Sequence, residues 1–235
     1  MINKRVKETY NQLASDYEHR VDTNNVYNVD YERPAMMKQF PHDMNGIKLL
    51  DAGCAAGWYT EQLSKLGAEV IATDISPEMV AATKRRVGKG VEVFCLDLEE
   101  KLPFDDASFD YIVSSLVLHY IEDWGKVFRA FKRVLKPNGI FLFSTHHPFM
   151  DIKLAENNDY FSTELIIDQW KRGNKTIDVP FYRRPMHVIL NETLTYFTIE
   201  DVIEPQPTKH FERKNPKKYE KLMKNPHFLI VKAAR

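Results

Sequence analysis

Asp51, Gly53 and Gly57, in the stretch Lys48-Leu-Leu-Asp-Ala-Gly-Cys-Ala-Ala-Gly-Trp-Tyr-Thr60, bring a carboxylate and two residues without side chains into one short loop. Glycines let a ligand approach the backbone where a Cβ would block it. The spacing is G-x-x-x-G, not the G-x-G-x-x-G that sets a dinucleotide pyrophosphate on a helix N-terminus. A carboxylate two residues before the first glycine would repel a phosphate and favours a ligand carrying an ammonium group. Further along, Asp74 and Asp97 close two more apolar runs, and Ser114 and His146 stand at the ends of two others. His146 and His147 are imidazoles that could take a proton from a reacting group, or cap the turn before Pro148.

These residues are useful only if the elements carrying them end at one edge. Ile47 to Leu50 suit a strand buried on both faces, and helical apolar spacing resumes at Leu63 and Leu66. Ala68–Asp74 reads as a second strand, followed by Ser76-Pro-Glu, a helix start with proline at the first helical position. Val91–Asp97, Phe109–Ser115 and Ile140–Thr145 read as three more strands; Lys136-Pro-Asn-Gly139 reads as the turn before the last of them. Strands alternating with helices predict a parallel, doubly wound α/β sheet that binds ligands beyond the carboxyl ends of its strands. Asp51, Asp74, Asp97, Ser114 and His146 would converge there.

After residue 150 the rhythm changes. Thr163–Trp170 and Thr176–Tyr182 flank Lys171-Arg-Gly-Asn-Lys175 and predict an inserted hairpin. A helix from Met186 to Tyr196, a strand from Phe197 to Ile203 and a last strand at Phe228–Val231 follow. Lys209–Lys224 holds seven Lys or Arg and two Glu, a local net charge of +5, which fits either a solvated helix and loop or a guide for an anionic partner.

The 235 residues suffice for one sizeable core, and the formal net charge of +0 announces neither nucleic acid nor an anionic membrane. No stretch approaches the roughly 20 apolar residues of a membrane span, and the start has no signal-peptide core, so a cytoplasmic protein is expected. Cys54 and Cys95 need no disulfide in such a compartment, and no C-x-x-C or H-E-x-x-H spacing suggests a metal.

Together these segments resemble the class I S-adenosylmethionine-dependent methyltransferases, from about Tyr10 to the last strand. Leu49-Leu-Asp-Ala-Gly-Cys-Ala-Ala-Gly57 looks like the family's D-x-G-x-G-x-G loop, and Asp74 and Asp97-Leu98 like the acids closing its second and third strands. Leu102-Pro-Phe-Asp105, Ser108–His119 and Leu135-Lys-Pro-Asn-Gly139 match its later segments in order and spacing. Two positions depart. Ala55 replaces the middle glycine, which matters only if residue 55 needs positive φ, and Asn138 replaces a glycine in a turn where asparagine tolerates left-handed backbone.

The resemblance implies a seven-stranded, mostly parallel Rossmann-like sheet with a small hairpin lid after the fifth strand. It implies a helical cap over residues 1–45, a cofactor-binding core over 46–148, an acceptor lid over 149–196 and completing strands over 197–235. S-adenosyl-L-methionine would be the cofactor and S-adenosyl-L-homocysteine the product. Asp51 and the backbone at Gly53 would hold the methionine ammonium, with Gly57 in the same loop. Asp74 would bind the ribose hydroxyls, Asp97 the adenine amine, Ile75 and Leu98 the adenine faces, and the Ser114 carbonyl the amino-acid part. Tyr17 would close the site.

A sulfonium methyl is already activated, so positioning supplies most of the catalysis and a base is needed only where the acceptor must lose a proton. His146 and His147 are the candidates for that base. His119, Trp170, Tyr182, Arg183, Arg184 and His187, with Phe181, are candidate acceptor-pocket residues, and the paired arginines also fit a surface pair flanking Pro185. Ser114-Ser-Leu-Val117 stands where amide and adenine methyltransferases carry Asn-Pro-Pro-Tyr, which favours a small-molecule acceptor. RNA or protein acceptors, a non-catalytic cofactor binder and an NAD-dependent oxidoreductase are the alternatives. Oligomeric state is not legible.

Overall fold

The computed structural model describes residues 2–156, 159–172 and 175–235. Five strands, β1 (Lys48–Ala52), β2 (Glu69–Asp74), β3 (Glu92–Cys95), β4 (Phe109–Ser115) and β5 (Leu135–His146), lie parallel. β6 (Glu164–Arg172) and β7 (Lys175–Arg183) form a separate antiparallel pair. β8 (Thr198–Ile203) and β9 (Phe228–Ala234) complete the main sheet, whose order is β3-β2-β1-β4-β5-β9-β8. β9 runs antiparallel to both neighbours. The expected seven-stranded, mostly parallel sheet and the hairpin after β5 are therefore both present. The hairpin turn at Gly173 and Asn174 lies outside the described residues.

The order reverses between β1 and β4, and a crevice opens at such a switch point because neighbouring crossovers leave in opposite directions. Leu49 and Leu50 of β1 are fully buried on opposite faces, as a central parallel strand requires. On one face, the helix Trp124–Val134 buries Val127, Phe128, Phe131 and Val134 against Phe141, Phe143 and Phe197. Each such side chain contributes about 1.5–3 kcal/mol when fully buried. Ser76 caps the helix Pro77–Val87 by accepting the Met79 N–H at 3.1 Å. Its side chain thereby also fixes the direction in which the chain leaves β2.

Three expected boundaries differ. β3 ends at Cys95, leaving Asp97 on a loop where its Oδ1 accepts the Glu99 N–H at 3.0 Å. Lys136–Gly139 is not a turn before β5; pairing begins at Leu135 opposite Phe109 and resumes at Ile140 opposite Tyr111. The four intervening residues bulge out, with Asn138 at φ 62°, the conformation asparagine tolerates. The 209–224 segment forms two short helices, Lys209–Lys214 and Pro216–Leu222, broken where Asn215 caps the second.

Helix α1 (Ile2–Asp16) and the helical turns that follow it to Met37 lie over the carboxyl ends of the strands. Thr9 of α1 donates to the Asp178 carbonyl of β7, and Val6 packs with Val179 and Phe181. Asp30 is buried and accepts from His210 at 2.7 Å and Lys214 at 3.3 Å, 180 residues or more along the chain. That stitch draws two basic groups of the 209–224 segment onto the cap. No helix among the described residues is long and apolar enough to cross a membrane.

Candidate functional site

The loop after β1 is built from left-handed backbone. Gly53 has φ 87°, and its N–H and that of Cys54 both donate to the Thr73 carbonyl at 2.8 Å. A Cβ on Gly53 would fall 2.3 Å from Val117 Cγ2, and valine is stiff about χ1, so that position requires glycine. Gly57, at φ 80°, starts the helix Trp58–Lys65, and a Cβ there would press on Thr83. Ala55 holds φ 47°, the case in which a Cβ is costly, and its N–H donates to Asp74 Oδ2 at 2.9 Å. Leu116, at φ 55°, is a second non-glycine residue in this region at the crevice. Its N–H is held by the backbone oxygen and hydroxyl of Ser144 at 3.0 and 3.1 Å.

One cavity runs across the ends of β3, β2, β1 and β4 beneath α1. Of the nine residues expected around the cofactor, Tyr17, Gly53, Asp74, Ile75, Asp97 and Leu98 line it. Asp74 accepts the Ala55 and Ser76 N–H groups, one on each oxygen, which turns its carboxylate toward the loop. The Asn3 amide of α1 donates to both Asp97 (2.8 Å) and Glu99 (2.6 Å), bolting the roof to that end. Tyr10 and Tyr120 join hydroxyls at 2.7 Å across the middle, with Tyr17 beside Tyr10.

Asp51, Gly57 and Ser114 lie one layer behind the wall. Asp51 is buried and accepts the Thr60 hydroxyl at 2.6 Å; Ser114 donates to the Ala52 carbonyl at 3.0 Å, and the next residues, Ser115 to Val117, face the cavity. Burial pushes the Asp51 carboxyl up to about 7, opposed by the Thr60 hydrogen bond and reinforced by the charge of Asp74. Burial likewise pushes Asp74 up to about 6, against the hydrogen bonds from Ser76 and Ala55.

At the opposite end stand residues the sequence did not single out. Arg33 and Arg86 line the cavity and share the single carboxylate of Asp22. Arg33 lies 4.3 Å over the Trp58 ring, and its Nε and Nη1, like Arg86 Nη1, are buried without a hydrogen-bond partner. Buried guanidinium N–H groups lacking an acceptor are a place for an anion. Neighbouring Glu32 is fully buried and accepts from Tyr59, Ser115 and Ser144 at 2.5–2.8 Å. Burial raises its carboxyl.

The residues expected at the acceptor are dispersed. His147 caps the short helix Pro148–Asp151, its Nδ1 accepting the Phe149 N–H at 3.0 Å while Nε2 meets Glu204 at 2.7 Å. Burial lowers its pKa and the Glu204 partnership opposes that. His146 stacks on His119 at 4.0 Å behind Tyr120, with Phe181 edge-on. Burial keeps His119 well below the usual histidine range, helped by the charges of His146 and Arg184.

Arg183 and Arg184 are not a surface pair. Arg183 is fully buried and binds Glu164, the Tyr160 carbonyl and the Ser162 hydroxyl. Arg184 donates to the carbonyls of Ile121 and Glu122 and lies over Trp124; burial brings it down to about 10. Tyr182 is half-buried under Arg184, Trp170 faces a second groove beside Arg20 and Tyr27, and His187 is exposed. Both arginines are spent on docking within the fold, and none of these five residues lines the cavity.

A methyltransferase-domain family model matches residues 50–143, which span β1 to β5 and carry the loop and acids described above. The chain is 31% identical to the demethylmenaquinone methyltransferase of Lactococcus lactis over 69% of its length and 67% of that protein's. It is 24% identical to the malonyl-[acyl-carrier protein] O-methyltransferase of Legionella pneumophila over 92% and 77%. The crystal structure of an S-adenosylmethionine dependent methyltransferase from Mesorhizobium loti superposes with TM-score 0.69 at 28% identity, covering 87% of this chain and 97% of that one. With a crevice at the β1/β4 switch point, acids at or just past the ends of three successive strands and relatives of this kind, the chain belongs to the class I S-adenosylmethionine-dependent methyltransferases and uses S-adenosylmethionine to transfer methyl groups.

Proposed function

We propose that the enzyme methylates a small molecule received under α1, with the cofactor lying from the Asn3–Asp97 end to the Arg33 end of the cavity. The roof carries this reading: Asn3 grips Asp97 and Glu99, and the Tyr10 and Tyr120 hydroxyls meet beneath it, so the cavity is covered from above, which suits a compact acceptor better than a macromolecule. Relatives named for demethylmenaquinone and for ubiquinone biosynthesis support it. In the basic 209–224 segment, Lys214 is engaged by Asp30 and Lys218 lies over Tyr27, which leaves less of its charge for a nucleic acid.

The residues fit the cofactor. The partnerless Arg33 and Arg86 N–H groups suit its carboxylate, and Asp51 beneath the loop favours its ammonium, whose charge would in turn favour the ionised carboxyl. Asp74 has lone pairs left for the ribose hydroxyls, Ile75 and Leu98 offer apolar faces to the adenine, and Asp97 can accept its amine. Gly53 keeps the wall thin, and the Ser115–Val117 backbone, just past Ser114, borders the amino-acid part.

When bound, the cofactor supplies a methyl on a sulfonium, a leaving group that needs no acid. The protein's task is then to hold the acceptor in line, exclude water and accept a proton where one must leave. His147 is committed to its cap and Glu204, so His146 is the imidazole we assign to that proton.

The test is transfer of labelled methyl groups from S-adenosylmethionine into a cell extract that is afterwards split into small molecules and macromolecules. Label among the small molecules is expected; label in RNA or protein overturns the reading.

A further inference from the structure

Leu116 lines the cavity, and its φ of 55° puts a bulky side chain on left-handed backbone. Such an outlier persists only where neighbouring contacts over-determine it, and outliers of this kind gather at ligand clamps. Here the contacts can be followed outward. The Leu116 N–H donates to the Ser144 carbonyl at 3.0 Å and to the Ser144 hydroxyl at 3.1 Å, near the end of β5. That hydroxyl in turn donates to Glu32 Oε1 at 2.5 Å, and the Ser115 hydroxyl donates to the same oxygen at 2.8 Å. Glu32 Oε2 accepts the Tyr59 hydroxyl at 2.8 Å. One carboxylate of the cap thus gathers the ends of β4 and β5 and the first turn of the helix Trp58–Lys65.

Glu32 is fully buried, and these three partners are hydroxyls, not guanidinium or ammonium groups, so charge pairing does not account for its place. An ionised carboxylate can only accept hydrogen bonds. Ser144 therefore spends its one hydrogen on Glu32, and its lone pairs are left for the Leu116 N–H. The next residue has its own seat: Arg33 lies over Trp58 as Glu32 holds Tyr59, so two consecutive cap residues rest on two consecutive helix residues. Arg33, Trp58, Tyr59 and Ser115 line the cavity together with Leu116, and Glu32 stands behind them.

We propose that Glu32 is a positioning residue for methyl transfer: by committing the Ser144 hydroxyl it holds the Leu116 peptide bent in the cavity wall, and that wall seats the amino-acid end of the cofactor. The inference rests on the placement of the cofactor's amino-acid part beside Ser115–Val117 proposed above. It is indifferent to whether the acceptor is a small molecule or a macromolecule.

The test uses the full chain labelled with 15N, and Glu32→Gln, which keeps the side chain's size but brings an amide nitrogen able to donate to Ser144 or Tyr59. In the wild type, S-adenosylhomocysteine should shift the amide signals of Ser115, Leu116 and Val117, and the Leu116 amide should exchange slowly with solvent. Glu32→Gln should speed that exchange and weaken S-adenosylhomocysteine binding in calorimetry, each by about tenfold, as the loss of one hydrogen bond to a charged group does. The Ala55 amide, bound to Asp74 in the same cavity, should exchange at the wild-type rate, which a general folding defect would not allow. Ser144→Ala cuts the link while leaving Glu32 in place and should give the same two changes. The double variant should lose no more affinity than either single one. In the extract transfer assay, the apparent KM for S-adenosylmethionine should rise by more than the rate at saturating cofactor falls. Wild-type exchange at Leu116 in both variants, or additive losses in the double variant, overturns the role of Glu32. Faster exchange with unchanged affinity overturns the role of the wall. If S-adenosylhomocysteine binds the wild type without shifting the Ser115–Val117 signals, the cofactor placement itself fails and the proposal falls with it. Should Glu32→Gln not fold, Ser144→Ala carries the exchange and affinity comparisons.

Discussion

At the residue scale, two small side chains in one loop are opposed in their effects. Ala55 holds φ 47°, where a Cβ costs roughly 1–2 kcal/mol, and glycine's greater unfolded freedom returns about half of that. Ala55→Gly is therefore expected to raise stability by about 0.5–1 kcal/mol, read from the urea midpoint. Gly53→Ala sets a methyl 2.3 Å from Val117 Cγ2 and should lose both stability and S-adenosylhomocysteine binding by calorimetry. Titration is the second residue-scale property. Burial lifts Asp51 to about 7 and Asp74 to about 6, from near 3.8 when unfolded. The folded state thus binds protons more tightly, so the stability these groups contribute is full below about pH 4 and is lost as pH rises toward 7. Asp51→Asn, whose carbonyl can still accept from Thr60, should gain on the wild type in ligand-free unfolding measurements as pH goes from 4.5 to 8. A gain that does not grow with pH would contradict the burial of an ionisable group there.

At the element scale, the hairpin is held by cations that a sequence reads as free. Arg183→Met removes the donor to Glu164, to the Tyr160 carbonyl and to the Ser162 hydroxyl, at a cost of about 2–3 kcal/mol. Limited proteolysis should then cut within β6 and β7 before the main sheet. Nothing in Arg183-Arg184 itself announces this, because Arg183 is buried by partners about 20 residues earlier, Tyr160, Ser162 and Glu164, and Arg184 by Ile121, Glu122 and Trp124, about 60 residues earlier. The parallel strands were legible for the opposite reason: a strand covered on both faces must be apolar throughout, as Leu49-Leu50 and Ile112-Val113 are. Asp74 and Asp97 were legible because each follows such a run. Arg33 and Arg86 carry no comparable mark, since only the path of the cap brings them to Asp22. The Lys136–Gly139 bulge reads as a turn because the strand that brackets it, pairing Phe109 with Leu135 and Tyr111 with Ile140, lies outside any local window.

At the scale of the whole molecule, ligand binding should appear as stability. S-adenosylhomocysteine at 100 times its dissociation constant adds about 2.7 kcal/mol, and in a chain of this size that is about 5–10 °C of Tm. NAD at the same concentration should leave the transition where it was. The cap's attachment through Asp30 to His210 and Lys214 bears on how the molecule forms. A contact spanning 180 residues carries a large loop-closure cost, and such contacts are made late, once nearer pairings have shortened the effective path. The sheet can assemble before this stitch closes, whereas the cavity cannot, since Tyr17 and Arg33 reach it only with the cap in place. Refolding should therefore recover strand signal in an earlier kinetic phase than competence to bind S-adenosylhomocysteine, and the Asp30→Asn variant should delay the second phase while leaving the first alone.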